Sequence, residues 1–373
     1  MRSPPRVCVV TWQLQPDSGW GRYSLGLVRG LRELGVELRV LTERRSDPPP
    51  DFDRAQIIRC LSTPLAPLDR PLAMAWNLVQ VLRRAGGVDL VHFLVEPYAL
   101  AASLGFVQPY LVTIHGTYGL IPLRGNPVTR TLFQRALQRA RGVVCVSRFT
   151  RTRMADALRL DNLAVINNGL ELPRPDGMPA ESISGGPILL GVGALKPRKG
   201  YHVAVEALAV VRERYPEVRY FMVGDDRDRR YVDLLKESVR RLGLEGNVEI
   251  TGRIDDGRLD ALYRRCDAFI LPPVNSGAAF EGFGLTYLEA NAYGKPVVGS
   301  LGCGAEDAIQ DGENGFLAPQ ADSEAVASRI LQLLDDPSAA RRMGERGRQT
   351  AMARDWSNVA AEYLALYERA LGG

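Results

Sequence analysis

Glu281-Gly282-Phe283-Gly284-Leu285-Thr286-Tyr287-Leu288-Glu289 follows, after a short loop, the apolar run Ala268-Phe269-Ile270-Leu271-Pro272-Pro273. The run reads as a buried strand ending at paired prolines. The stretch from Leu285 to Tyr293 reads as a helix. Gly282 and Gly284 therefore stand where a strand hands over to a helix N-terminus, the place where unpaired backbone N–H groups converge and phosphate binds readily. Glu281 precedes this turn, and Glu289 lies about one and a half helical turns inside it. One carboxylate can reach one end of a phosphate-bridged ligand, and the other its opposite end.

The same strand-then-helix rhythm extends in both directions. Short apolar runs at Val7–Val10, Glu37–Leu41, Gln56–Arg59, Leu90–Phe93, Tyr110–Ile114, Gly142–Val146 and Leu163–Ile166 alternate with helix-length segments such as Arg22–Leu34, Pro71–Arg84 and Val128–Arg139. A second series runs from Pro187 through Arg219–Val223, Val248–Thr251, Ala268–Leu271 and Pro296–Gly299. Alternation of this kind argues for parallel α/β sheets. Leu172–Gly186, rich in proline and glycine, reads as a linker. The expected organisation is two tandem, doubly wound, Rossmann-like domains, 1–172 and 187–353. A cleft would lie between their strand carboxyl ends. The amphipathic tail 354–373 forms a last helix with Val359, Tyr363, Leu366, Tyr367 and Ala370 on one face.

Composition narrows the function classes. The 373 residues are 46% hydrophobic, enough for two cores, and no apolar stretch is long enough to span a bilayer. The five cysteines are widely spaced with no Cys-x-x-Cys pair, which suits buried thiols in a cytoplasmic protein and argues against structural zinc. Net charge is only +4, which gives no reason to expect a nucleic-acid partner, yet nine arginines and a single acid, Asp156, occupy 124–159. That stretch is either a basic face for an anionic acceptor or membrane surface, or a solvated face of an arginine-biased chain.

Three further segments carry candidate chemistry. Gly193-Ala194-Leu195-Lys196-Pro197-Arg198-Lys199-Gly200 holds two of the four lysines, and a lysine at such a strand-to-helix turn can neutralise a phosphate. Gly19-Trp20-Gly21 follows the first strand, where glycines let the backbone approach a ligand. His115 ends the run Leu111-Val112-Thr113-Ile114, at the carboxyl end of a central strand. Of the other two histidines, His92 reads as packed and His202 as exposed or capping. Asp226-Arg227-Asp228 matches a metal-holding Asp-x-Asp element, but lacks a third oxygen ligand and reads as a solvated loop.

The paired glutamates, Lys199 and His115 together resemble the retaining family-4 glycosyltransferases of GT-B fold, over nearly the whole chain. The resemblance implies transfer of a sugar from a UDP- or GDP-linked donor to an acceptor hydroxyl, in glycolipid, polysaccharide or glycoconjugate synthesis, without a metal or other cofactor. It implies that Lys199 grips the diphosphate and that amides of Gly282, Phe283, Gly284 and Leu285 assist. Glu281 would hold sugar hydroxyls, Glu289 the ribose, and Gly252 and Ile254 the base loop. Gly19 and Gly21 would face the phosphates, His115 would lie near the anomeric carbon, and the last helix, which by its own spacing could equally cover the second domain, would cross back to the first. The family arginine falls at Ala194, leaving Lys196 or Arg198 to supply its charge. Residues Ile114 and Gly116 to Gly119 are uncharged, so no carboxylate is expected beside His115, and same-face attack is expected rather than a covalent intermediate. The acceptor, anionic or lipid-linked, is not written in these motifs. A sugar-nucleotide epimerase, a glycan phosphorylase and a non-catalytic sugar-nucleotide binder of the same architecture are the competing classes.

Overall fold

The computed structural model describes residues 4–16, 18–47, 49–53, 56–64, 71–103, 108–173 and 185–372. It divides into two units, one running to Glu171 and resuming at Arg354, the other spanning Leu172–Ala353. Most of the expected linker, 174–184, lies outside the described residues.

The first unit is built on seven parallel strands, β1 (Arg6–Val10), β2 (Glu37–Glu43), β3 (Ile57–Leu61), β4 (Leu90–Phe93), β5 (Tyr110–Ile114), β6 (Gly142–Cys145) and β7 (Leu163–Val165), in the order 3-2-1-4-5-6-7. The order reverses between β1 and β4, which leaves a crevice at the strand carboxyl ends, the usual ligand position in open α/β sheets. Its helices are α1 (Gly19–Glu33), α2 (Pro71–Arg84), α3 (Thr117–Arg124), α4 (Pro127–Arg139) and α5 (Arg148–Ala157). Helix α1 starts three residues before its expected position because Ser18 caps it, its Oγ accepting the Gly21 N–H at 3.0 Å.

The second unit repeats the pattern with six strands, β8 (Ile188–Val192), β9 (Arg219–Val223), β10 (Val248–Gly252), β11 (Ala268–Ile270), β12 (Val297–Ser300) and β13 (Gly315–Ala318), ordered 10-9-8-11-12-13. The helices are α6 (Tyr201–Arg214), α7 (Arg229–Arg241), α8 (Asp256–Arg265), α9 (Leu285–Ala292), α10 (Ala305–Ala308), α11 (Ser323–Asp335) and α12 (Pro337–Met352). Strand β13 is an addition to the sequence reading. It is four residues long, begins at a glycine and directly follows the turn after Asp311, so its apolar run is too short to register as a strand.

The chain then re-enters the first unit through α13 (Trp356–Ala370), which packs along α1. Gly26 and Gly30 on α1 permit that contact: a Cβ on Gly26 would lie 2.0 Å from the Trp356 indole nitrogen, and one on Gly30 2.7 Å from Ala360 Cβ. Trp356, Val359, Ala360, Tyr363 and Tyr367 are buried in the core of this unit. Two hydrogen bonds secure the face from within. Tyr23 and Tyr363 share one between their hydroxyls at 2.5 Å, and the Tyr367 hydroxyl meets His92 Nδ1 at 2.7 Å. Among the described residues no helix is long and apolar enough to cross a membrane.

Candidate functional site

The donor-side candidates of the second unit gather at the carboxyl ends of its strands. After β8 the chain makes a short 3-10 turn, Pro197–Lys199, closed by Gly200 in the left-handed region (φ 71°). A Cβ on Gly200 would lie 1.6 Å from the Pro272 carbonyl, so only glycine lets this turn pass the end of β11. The loop after β11 delivers Glu281 to the same place. Lys199 Nζ stands 2.6 Å from Glu281 Oε2, and Arg198 Nη1 2.9 Å from that same oxygen. Lys199 and Glu281 are buried, whereas the Arg198 side chain is 32% exposed. Burial opposes the charge on Glu281, but Lys199 and then Arg198 outweigh it and hold the carboxyl well below the usual carboxylate range. Burial also pulls Lys199 down, against the attraction of Glu281. Two cations face one carboxylate here, so a positive charge is left over.

Helix α9 begins immediately beside this cluster. Its N-cap, Gly284, has φ 87°, and no side chain caps the helix. A Cβ at Gly284 would strike the Tyr287 ring at 2.3 Å. The Gly304 amide donates to the Glu281 carbonyl at 2.8 Å, and a Cβ at Gly304 would lie 2.1 Å from the Gly282 carbonyl. The Gly302–Gly304 loop therefore braces the turn, and Glu306 closes it by accepting the Gly302 N–H at 2.6 Å. Glu289 sits half-buried in the second turn of α9, accepting the Tyr263 hydroxyl at 3.0 Å. Tyr263 is itself stacked on Tyr293 at 5.0 Å. Gly252 (φ 68°) ends β10, and half-buried Ile254 lies in the loop after it.

The acidic loop after β9 is neutralised by its own arginines. Asp225 pairs with Arg227 and Arg253, Asp226 with Arg229, and Asp228 caps α7. Among the described residues no cluster of acids, histidines or cysteines is arranged to hold a metal. Lys196 is exposed and stands before the 3-10 turn, away from the place Arg198 takes beside Glu281. His202, expected to be exposed or capping, is half-buried, its Nδ1 2.8 Å from the Tyr231 hydroxyl.

In the first unit His115 ends β5. Its Nε2–H donates to the Leu94 carbonyl at 2.7 Å, and its ring meets Tyr23 edge-on at 4.5 Å. Burial lowers its pKa to about 4, so it is neutral at pH 7 with Nδ1 left as the acceptor. Gly21 is indispensable at the start of α1, since a Cβ would lie 2.0 Å from the Gln15 carbonyl, whereas Gly19 has open space around it. Trp20, between them, packs against Tyr118 at 4.7 Å and Trp12 at 6.0 Å.

One expectation fails here. A carboxyl does stand beside His115: Glu96, after β4, accepts the His115 backbone N–H on Oε1 at 2.5 Å. The residues flanking His115 along the chain give no sign of it, because Glu96 comes from just beyond the adjacent strand of the sheet. The run Leu90-Val91-His92-Phe93-Leu94-Val95-Glu96-Pro97, an apolar strand meeting an acid at its end, was the available signal.

Comparison with known proteins agrees with this architecture. Residues 18–174 match the profile described as Glycosyltransferase Family 4, and 178–350 that described as Glycosyl transferases group 1. A GDP-mannose-dependent alpha-(1-6)-phosphatidylinositol monomannoside mannosyltransferase of Mycolicibacterium smegmatis is 32% identical over 237 residues, an alignment covering 61% of each chain. A glycogen synthase of Mycobacterium tuberculosis is 27% identical over 407 residues, covering 99% of this chain and 95% of that protein. Among solved structures, sucrose-phosphate synthase from Thermosynechococcus elongatus superposes with a TM-score of 0.76 at 22% identity, covering 98% of both chains. A glycosyltransferase from Rickettsia africae gives 0.75 at 20%, covering 99% of both. The last two show the fold alone. With two adjoining profiles matched and each sheet in Rossmann-like order, the chain belongs to the family-4 glycosyltransferases of GT-B fold.

Proposed function

We propose that this protein is a retaining, metal-independent glycosyltransferase that moves a sugar from a UDP- or GDP-linked donor to an acceptor hydroxyl. The carrying observation is the Lys199–Glu281–Arg198 cluster beside the uncapped start of α9. Its surplus positive charge and the helix-end amides suit a diphosphate, and they supply the electrostatic stabilisation of a leaving group that a divalent metal provides elsewhere. Arg198 takes the charge that Ala194 lacks, a reading supported by its place beside Glu281. As the diphosphate draws Lys199 and Arg198 towards itself, Glu281 is released to hold sugar hydroxyls, while Glu289 receives the ribose and the loop of Gly252 and Ile254 the base. Gly282, Phe283, Gly284 and Leu285 contribute backbone, Gly19 and Gly21 face the phosphates, and His115 is assigned to the sugar end of the donor.

Glu96 does not reopen a covalent route. Its carboxyl is buried and turned onto the His115 amide, so same-face attack with the leaving phosphate accepting the proton remains the proposal. For the acceptor we propose a glycolipid or another anionic, lipid-linked molecule met at a cytoplasmic membrane surface. Eight of the nine arginines between 124 and 159 are exposed, which supports a basic docking face. All five cysteines are free and buried, as suits a reducing compartment.

Thermal shift with UDP, GDP, ADP and their sugars tests the reading. At about 100-fold over Kd a bound nucleotide stabilises by about 2.7 kcal/mol. The expected result is one preferred nucleotide, unaffected by EDTA, and an α-linked product from an α-linked donor by proton NMR of the anomeric coupling. No nucleotide response would remove the donor site. A strict magnesium or manganese requirement would return Asp226 and Asp228 as ligands, and a β-linked product would overturn retention.

A further inference from the structure

Glu96 opens the 3-10 turn Glu96–Ala102 after β4 and is fully buried. Two residues before it, Leu94 accepts the His115 ring N–H, while Glu96 itself accepts the His115 backbone N–H. A three-residue segment just beyond the neighbouring strand thus holds both the backbone and the ring of the histidine. Oε2 has no hydrogen-bond partner among the described residues, although the Trp20 indole and the Gly116 amide also lie towards the carboxyl. An unfilled, buried carboxyl oxygen is costly, and an apolar side chain would pack the turn more cheaply if packing were its only task.

We infer that Glu96 is a positioning residue for His115: it fixes the histidine backbone while the Leu94 carbonyl holds the ring, so that Nδ1 is the atom offered to substrate, and it makes the histidine sensitive to the ionisation of the Glu96 carboxyl. The inference deepens the proposed function, since it matters to catalysis only if His115 serves the sugar end of the donor.

Burial raises the Glu96 carboxyl to about 8, against the pull of the surrounding amides and the Trp20 indole. The titratable groups facing it are His115 at the end of β5 and Cys145 at the end of β6. Burial sets these near 4 and 12, so both are neutral at pH 7. Helices α2, α3 and α4 pack around the turn, and their only charged side chains, Arg83, Arg84, Arg124, Arg130, Arg135 and Arg139, are exposed or half-exposed. Near pH 8 the carboxyl therefore gains a charge directly against the His115 amide, with no counter-ion in place among the described residues.

The chain's three histidines make this readable. Nitrogen NMR of 15N-histidine-labelled protein, without ligand, is expected to show His115 as the neutral Nε2–H tautomer from pH 6 to 9, with a shift inflection near pH 8. Glu96→Gln should keep the tautomer and abolish the inflection. Carboxyl 13C NMR of the wild type provides the check if that variant does not fold, since one glutamate should titrate near 8. An inflection surviving in Glu96→Gln, a mixed His115 tautomer in the wild type, or no glutamate titrating above the ordinary range would each overturn the inference. These measurements need no substrate, so they stand or fall separately from the glycosyltransferase reading. With a donor in hand, Glu96→Gln should lower kcat about tenfold, the scale of a slight misplacement. Donor KM should stay within about twofold and the alkaline limb of the pH–rate profile should vanish. Equal change in kcat and KM with the limb intact would indicate a merely structural role.

Discussion

The two units bury ionisable groups at equivalent places, the carboxyl ends of their strands, and keep them in opposite states. In the second unit Lys199 and Glu281 are charged and paired at 2.6 Å, with Arg198 on the same oxygen. In the first unit His115 and His92 are neutral and satisfied by backbone groups and hydroxyls, His92 by Tyr367 and Thr113 and His115 by Leu94. Burial keeps Glu96 neutral below about pH 8, with only Oε1 holding a backbone N–H among the described residues. A site built from paired charge can exchange its internal partner for an anionic ligand. A site built from neutral hydrogen bonds has directional lone pairs but little charge to offer. The difference suits one unit to a diphosphate and the other to orientation of an uncharged group.

The largest effect is expected from Lys199→Ala. It leaves Glu281 buried against Arg198 alone, and breaking a buried pair this way typically costs about 3–5 kcal/mol. Nucleotide binding should weaken by about 1.5–3 kcal/mol, the scale of a lost charge-assisted contact. Hydrogen exchange across 188–200 and 281–292, together with calorimetric titration of UDP and GDP, would measure both. A variant with unchanged protection and affinity would erase the contrast between the units, because Lys199 would then be neither the internal partner nor the phosphate ligand.

The pH dependence of each unit sharpens the same contrast. The Glu281 value is depressed in the folded protein, so its contribution is present above the ordinary carboxylate range and lost as pH falls through the folded value. The Glu96 value is raised, so its contribution is complete below its ordinary value of 4.5 and is lost as pH rises through about 8. Each pH unit between the two values weighs about 1.4 kcal/mol. Local exchange should therefore rise with acid around 281–289 and with alkali around 94–116. Glu96→Gln should flatten only the alkaline rise. Parallel profiles in the two regions would contradict opposite charge states.

These two sites were unequally legible in the sequence. Lys199, Glu281 and Glu289 lie in compact strand-to-helix turns, where spacing along the chain translates directly into spacing in the fold. Most strands were readable for the same reason, as local apolar runs, and β13 was not because its apolar run is only Phe316, Leu317 and Ala318, cut off by Gly315 and Pro319. The first unit's site is assembled across strands. Glu96 reaches His115 from 19 residues away, and Tyr367 reaches His92 from 275. No periodicity records such pairs. The first follows from strand order, which places β4 beside β5, and the second from the return of α13 to the first unit. The place of Arg198 beside Glu281 likewise depends on the 3-10 turn, which carries Arg198 while Lys196 stands before it.

The smallest expected effects concern the hydroxyls that α13 contributes. Tyr363→Phe removes one partner of Tyr23, but Thr113 also interacts with the Tyr23 hydroxyl, so that group keeps a partner. The loss should be that of one net hydrogen bond, about 1 kcal/mol. Tyr367→Phe is different, because His92 is fully buried and its Nδ1 would lose the Tyr367 hydroxyl while Nε2 keeps Thr113. An orphaned buried polar atom costs about 1–3 kcal/mol. Burial already holds His92 near 3, too low for protonation to compensate at neutral pH. The expected order is therefore Tyr363→Phe below Tyr367→Phe, measured as exchange protection in α1 and β4, and both below Lys199→Ala, measured across 188–200 and 281–292. A Tyr363→Phe variant as damaging as Lys199→Ala would mean that the neutral network is as costly to breach as a buried ion pair. The distinction between the units would then be one of chemistry alone, with no difference in energetic weight.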